Sequence, residues 1–347
     1  MKKLITLFLL LILNLSSVKP ENTKTGDLGL KALIKTIKKV TPEDNQLKEK
    51  LKPLLFEPNP KNLPDSIHQQ NSKEKIQKEL IKNYNATEHT LTSKDGYELS
   101  ALFVKNENAP VNIIFLTGYF HQYTPTKEWC APFLEILKLK KQKPNFLMFD
   151  WAGYGESPGE NRFLRKNAFG SNAYKQVQAA IDFVRKDNDK PIILHGFCFG
   201  AAMAMHTTLK AQEENNIMPD ALVLSSIFPD FNTILKQAVN HKNNWFYKQI
   251  LSWGLGKGCL DYMMNGSMFL KPIEMVQKID IPCMFDHYMY DPFARMDEGL
   301  KVFNKGDLEK NMLLISEVGK HVRIHTTAPY QYQQAYNCFL QKCGFID

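Results

Sequence analysis

From about residue 88 onward the chain alternates between short apolar runs and longer amphipathic stretches. The runs are "VNIIFL" (111–116), "NFLMF" (145–149), "PIILHG" (191–196), "ALVLSS" (221–226), "IPCMFD" (281–286) and "NMLLIS" (311–316). A strand with one wet face alternates apolar and polar residues. These runs do not, so each is expected to be buried on both faces. Between them lie helical stretches such as "NAYKQVQAAIDFVRKD" (172–187), with its apolar residues on one side. Ahead of them, "HTLTSKDGYELSALFV" (89–104) alternates and turns at Asp95-Gly96, the pattern of a hairpin. Strands alternating with helices predict an α/β fold, with a mostly parallel central sheet covered by helices on both faces. Residues 231 to 278 interrupt the alternation with a small helical, aromatic-bearing insert.

One junction carries chemistry. In "PIILHGFCFGAAMAMHTTLKAQ" a strand meets Gly196, Cys198 follows two residues later, Gly200 two after that, and a helix begins. A nucleophile mounted on so sharp a turn needs neighbours without bulk, and Gly196 and Gly200 supply them. The turn also puts Cys198 at a helix N-terminus, where the dipole favours the thiolate. A thiolate attacks carbonyl carbon without the strong base assistance that a serine hydroxyl requires. The plain alternative is a buried structural cysteine.

Strand, Gly196-x-Cys198-x-Gly200 and helix resemble the nucleophile elbow of α/β-hydrolases, with cysteine where serine is usual. The likeness spans roughly residues 88 to 345. "FDWAGYGESPG" (149–159) is similar to the D-x-x-G-x-G-x-S loop of the lysophospholipase-like and serine-aminopeptidase-like branches. "GFCFG" itself is closest to the cysteine elbow of dienelactone hydrolases. The resemblance implies a base after the last strand, where "SEVGKHVRIHTT" offers His321, with His325 as the alternative. It implies an acid after the preceding strand, and Asp291 in "IPCMFDHYMYDPF" fits that place. Asp230, after "LVLSSIFP", and Asp286, inside the strand pattern, are the other candidates. The order Cys198, Asp291, His321 matches the nucleophile–acid–base order of the fold. The acid would hold the imidazole tautomer and balance its charge. Oxyanion donors would be the backbone N–H groups of Phe199 and Tyr119. Thr117 here replaces the histidine usual before Gly118. The insert would cap the site, with Phe231, Trp245 and Trp253 lining an apolar pocket or merely packing the cap.

These residues point to an enzyme that cleaves an ester, lactone or thioester through a thioacyl intermediate. Acyl transfer and a non-catalytic binding role on the same fold are the alternatives. The expected partner is a small-molecule or lipid-like acyl substrate. The net charge of +8 comes mostly from lysines scattered along the 347 residues, and no nucleic-acid motif accompanies it. "GYG" (153–155) lacks the third glycine and helix of a dinucleotide fingerprint, and there is no C-x-x-C, so no cofactor and no metal are expected.

The N-terminus reads differently. Lys2-Lys3, the apolar run 4–15 and Ser16-Ser17 make a secretory signal over residues 1–17, with an uncleaved membrane anchor as the alternative. Export would be to a periplasm, the outside or an organelle lumen. Residues 18–87 read as a helical extension and linker before a hydrolase domain at 88–347. Leu30, Leu33, Ile34, Ile37 and Val40 fall at helical spacing, predicting an amphipathic helix that packs on the domain or touches a membrane surface.

Overall fold

In the computed structural model the described residues are 33–52, 67–118, 129–137, 142–158, 172–231, 233, 234, 237 and 270–347. The signal-like segment, most of the insert, Tyr119, Trp245 and Trp253 lie outside them.

Among the described residues nine strands form one sheet. In chain order they are β1 (Leu33–Ile37), β2 (Ala86–Thr92), β3 (Glu98–Val104), β4 (Asn112–Leu116), β5 (Asn145–Phe149), β6 (Ile192–Phe197), β7 (Ala221–Ser225), β8 (Cys283–Tyr288) and β9 (Met312–Ser316). Their spatial order is β1-β9-β8-β7-β6-β4-β5-β3-β2. Only β3 runs against the rest, paired antiparallel with β2 and β5. β4 to β7 and β9 are buried along their whole length, as their unbroken apolar runs require.

The helices are α1 (Pro42–Leu51), α2 (Ile67–Tyr84), α3 (Phe133–Ile136), α4 (Tyr174–Asp187), α5 (Phe199–Glu213), α6 (Pro272–Met275), α7 (Met296–Phe303), α8 (Ile324–Thr327) and α9 (Pro329–Lys342). Val177, Ala180, Ile181 and Val184 form the buried stripe of α4, which packs on α5. On β6, His195 and Phe197 share one face by the two-residue period. Their rings meet Phe133 of α3, and His195 also meets Tyr332 and Tyr336 of α9.

The expected helix over residues 30–40 is not what forms. Leu33–Ile37 is a strand, paired in parallel with β9 from Leu33↔Met312 to Ile37↔Ser316. Leu33, Lys35 and Ile37 turn inward while Ile34 is 44% exposed, so the helical apolar stripe does not exist. The residue pattern of Leu33–Ile37 does not alternate cleanly as a strand's would, and the open edge of β9 decides for the extended form by offering backbone partners. A membrane-facing amphipathic helix loses its basis with that stripe. The boundary at residue 88 moves too, since β1 belongs to the central sheet.

Candidate active site

The site is assembled at the C-terminal ends of the parallel strands. β6 ends at Phe197, Cys198 takes φ 53° and ψ −110°, and α5 begins at Phe199. A non-glycine residue in that region costs on the order of 1–3 kcal/mol, so its surroundings must hold it. They do: Cys198 N–H donates to the Ser225 carbonyl of β7 (2.8 Å), and the Cys198 carbonyl accepts from Ala201 and Ala202 (3.1 and 3.3 Å). A Cβ on Gly196 would lie 2.4 Å from the Gly200 carbonyl, and one on Gly200 would lie 2.0 Å from the Leu116 carbonyl oxygen. The two glycines are therefore demanded by backbone packing. The Cys198 side chain lies at a nearly closed surface, 6% exposed.

Asp291 stands in the loop after β8, and its carboxylate is fully enclosed. Oδ1 accepts the backbone N–H groups of Phe293 (2.9 Å) and Ala294 (3.0 Å). Oδ2 accepts Nδ1–H of His321 (2.7 Å) and the Ser226 hydroxyl (3.0 Å). Burial alone would raise its pKa, but His321 and these donors hold it below the usual carboxylate range.

His321 follows β9 after a turn at Gly319 (φ 152°), and its side chain is 18% exposed. With Nδ1 on Asp291, the ring also feels the charge of the nearby Cys198 sulfur. Burial works against the imidazolium. The Asp291 carboxylate, the Cys198 sulfur and the hydrogen bond to Asp291 outweigh it, and the pKa rises to about 10. The structure thus joins His321 and Asp291 by a hydrogen bond and sets Cys198 near enough to act on the imidazole.

The alternative candidates do other things. Asp230 caps a turn, accepting the Thr233 N–H (2.9 Å) and hydroxyl (2.8 Å). Asp286 is buried in β8, accepts the Ser225 hydroxyl (2.5 Å) and Tyr332 OH (3.3 Å), and is pushed up to about 6 by burial. The His325 ring is buried 4.3 Å from the Phe133 centroid, and that burial holds it well below its ordinary pKa. Phe199 opens α5, so its N–H belongs to the first turn, whose donors have no partner within the helix. Tyr119 lies outside the described residues, as do Trp245 and Trp253. Phe231 is buried, with its ring edge-on to Phe199 at 6.1 Å.

Ser226 is a member of the site that the sequence did not reveal. It is buried just past β7 with φ 53°. Its hydroxyl donates to Asp291, accepts the Val322 N–H (3.3 Å), and so joins the acid loop to the histidine loop. The only signal was its place at the end of the strand beside the elbow, in "LSSIF".

A mostly parallel sheet, helices packed on it and an elbow after β6 define the α/β-hydrolase fold. Solved structures agree. The esterase Pf2001 of Pyrococcus furiosus superposes with a TM-score of 0.56 at 18% identity, over 75% of this chain and 93% of that one. The 2,6-dihydroxy-pseudo-oxynicotine hydrolase gives 0.56 at 12% identity, over 87% and 78%. Naproxen esterase (carboxylesterase NP) of Bacillus subtilis gives 0.52 at 11% identity, over 80% and 99%. At such identities the likeness is one of fold. No family model matches the chain.

Proposed function

We propose that the protein is a hydrolase of carboxylic esters or thioesters that uses Cys198 as nucleophile, His321 as acid and base, and Asp291 as the group that orients the imidazole. The reading rests on one observation: a cysteine on a strained strand–helix turn stands near a histidine that is hydrogen-bonded to an enclosed carboxylate. In the proposed reaction the Cys198 sulfur attacks the acyl carbon and the carbonyl electrons move to oxygen. The Phe199 N–H, and the Tyr119 N–H if it faces the site, would stabilise that oxyanion, each such donor typically lowering the barrier by about 3 kcal/mol. The tetrahedral intermediate collapses, His321 gives its proton to the departing alcohol or thiol, and a thioester to Cys198 remains. Water then loses a proton to His321 and attacks the thioester, releasing the acid and restoring the sulfur. Amides suit this chemistry less, because an amine leaves poorly and the intermediate expels thiolate instead. Fold neighbours named as esterases fit the reading without establishing it.

The test is hydrolysis of short-to-long acyl p-nitrophenyl esters and acyl-thioesters by wild type, Cys198→Ala and Cys198→Ser. We expect turnover that alanine abolishes, and an acyl adduct on Cys198 by mass spectrometry. Turnover retained by Cys198→Ala, or no turnover and no adduct across the panel, overturns the proposal.

A further inference from the structure

His321 lies in the segment between β9 and α9, a loop that runs into the short helix α8 and from there into the first turn of α9. Both ends of this stretch are tied to the same short piece of the N-terminal segment. At the start, the Glu317 N–H donates to the Ile37 carbonyl (2.8 Å), extending the pairing of β1 with β9. At the far end stands Asp44 of α1, completely buried. Its Oδ1 accepts the backbone N–H groups of Tyr330 (2.9 Å) and Gln331 (3.2 Å). Its Oδ2 accepts Nε2 of Gln331 (2.6 Å) together with the N–H (2.8 Å) and hydroxyl (2.9 Å) of Thr41. Gln331 Nε2 also donates to the Lys39 carbonyl (2.8 Å). One carboxylate therefore caps two helices, α1 through the box with Thr41 and α9 from outside. Two helix N-termini facing it balance its charge.

Between the two ties the loop keeps two left-handed residues, Gly319 at φ 152° and Val322 at φ 49°. Val322 is β-branched and buried, so that conformation survives only where its ends are fixed. Its N–H is the donor to Ser226, and His321 immediately precedes it. A loop freed at either end would relax this turn and swing the imidazole.

We propose that β1, Thr41 and Asp44 form a clasp that holds the histidine loop, and that Asp44 is a positioning residue for His321. The proposal rests on the reading of His321 as acid and base. In the full chain, Asp44→Ala, Asp44→Asn, Gln331→Ala and the control Glu43→Gln, which changes an exposed neighbour on α1, are to be compared. The readouts are kcat and KM for ester hydrolysis, and the titration of the His321 ring by NMR. We expect Asp44→Ala to lower kcat about tenfold or more, since small displacements of a reacting group carry penalties of that order, with KM within about twofold. Asp44→Asn, which keeps an oxygen for the Tyr330 and Gln331 N–H groups but turns an NH2 toward the three donors on Oδ2, should recover only part of the loss. The His321 titration should move in Asp44→Ala and Gln331→Ala and stay in Glu43→Gln. Wild-type kcat and wild-type titration in both Asp44→Ala and Gln331→Ala overturn the clasp, whatever the melting temperature does. Should Asp44→Ala not fold, Gln331→Ala carries the same two outcomes. If the wild type turns over no ester, the hydrolase reading falls, and the clasp stands or falls on the titration alone.

Discussion

Ser226 shows how a residue without a motif can hold a site together. Its hydroxyl reaches Asp291 Oδ2, the same oxygen that receives His321 Nδ1–H, and its own lone pair takes the Val322 N–H. Ser226→Ala removes both contacts at a buried position. Leaving a buried N–H and one carboxylate lone pair unmatched costs about 1–3 kcal/mol. The expected outcome is a loss of that size in denaturant melts, together with a fall in hydrolysis of about tenfold. Unchanged melts and unchanged rates would remove Ser226 from the site. Cys198, by contrast, was readable in advance. Gly196 and Gly200 flank it because backbone atoms occupy the space their side chains would need, and a steric demand of that kind is written into the residue choice.

The N-terminal segment behaves as an integral element of the fold. β1 completes the sheet beside β9, and α1 packs along α8 and α9. Leu51, at the end of α1, is fully buried in the core. Leu51→Ala should therefore destabilise the protein by about 2–4 kcal/mol, as buried leucines do. The check is a shift in the denaturant midpoint with the slope unchanged; a cost below about 0.5 kcal/mol, the range of surface substitutions, would show that the segment is peripheral. Here the residues alone misled. The sequence 30–40 fits a helical period, and only the vacancy at the edge of β9 makes the extended form the better one.

Across the whole molecule, the layer between the sheet and α9 hides two groups with opposed responses to acid. His195 is pushed down to about 3 by burial, and Asp286 is pushed up to about 6 by burial. They share Ser225 and Tyr332 as partners. In the unfolded chain His195 titrates near 6.5 and Asp286 near 3.8. His195 therefore contributes stability that is present above about pH 6.5 and lost as pH falls toward 3. Asp286 contributes stability that is present below about pH 3.8 and lost as pH rises through 6. Between these limits folding takes a proton from one and gives it to the other, so their effects cancel. Asp286→Asn should expose the histidine alone: between pH 4 and 6, stability relative to wild type should fall with acid, by about 1 kcal/mol per pH unit. His195→Gln should tilt the same window the other way. Parallel stability curves for wild type and both variants would refute the pairing.

What the sequence by itself determined is what local chemistry enforces. Apolar runs with no polar alternation had to be buried on both faces, and an elbow with glycine two residues either side of Cys198 had to be a tight strand–helix turn. The positions of Asp291 and His321 followed from strand order and from resemblance, not from any local pattern. Tertiary structure alone decided three things. Asp291, and neither Asp230 nor Asp286, lies against the imidazole, because among these three its loop is the one that brings a carboxylate to His321. Ser226 bridges the acid and histidine loops, its hydroxyl reaching Asp291 across 65 positions and Val322 across 96. Asp44 reaches across 287 positions to cap α9. Each is a contact between segments distant in the chain, and such contacts exist only once the sheet has set which ends lie side by side.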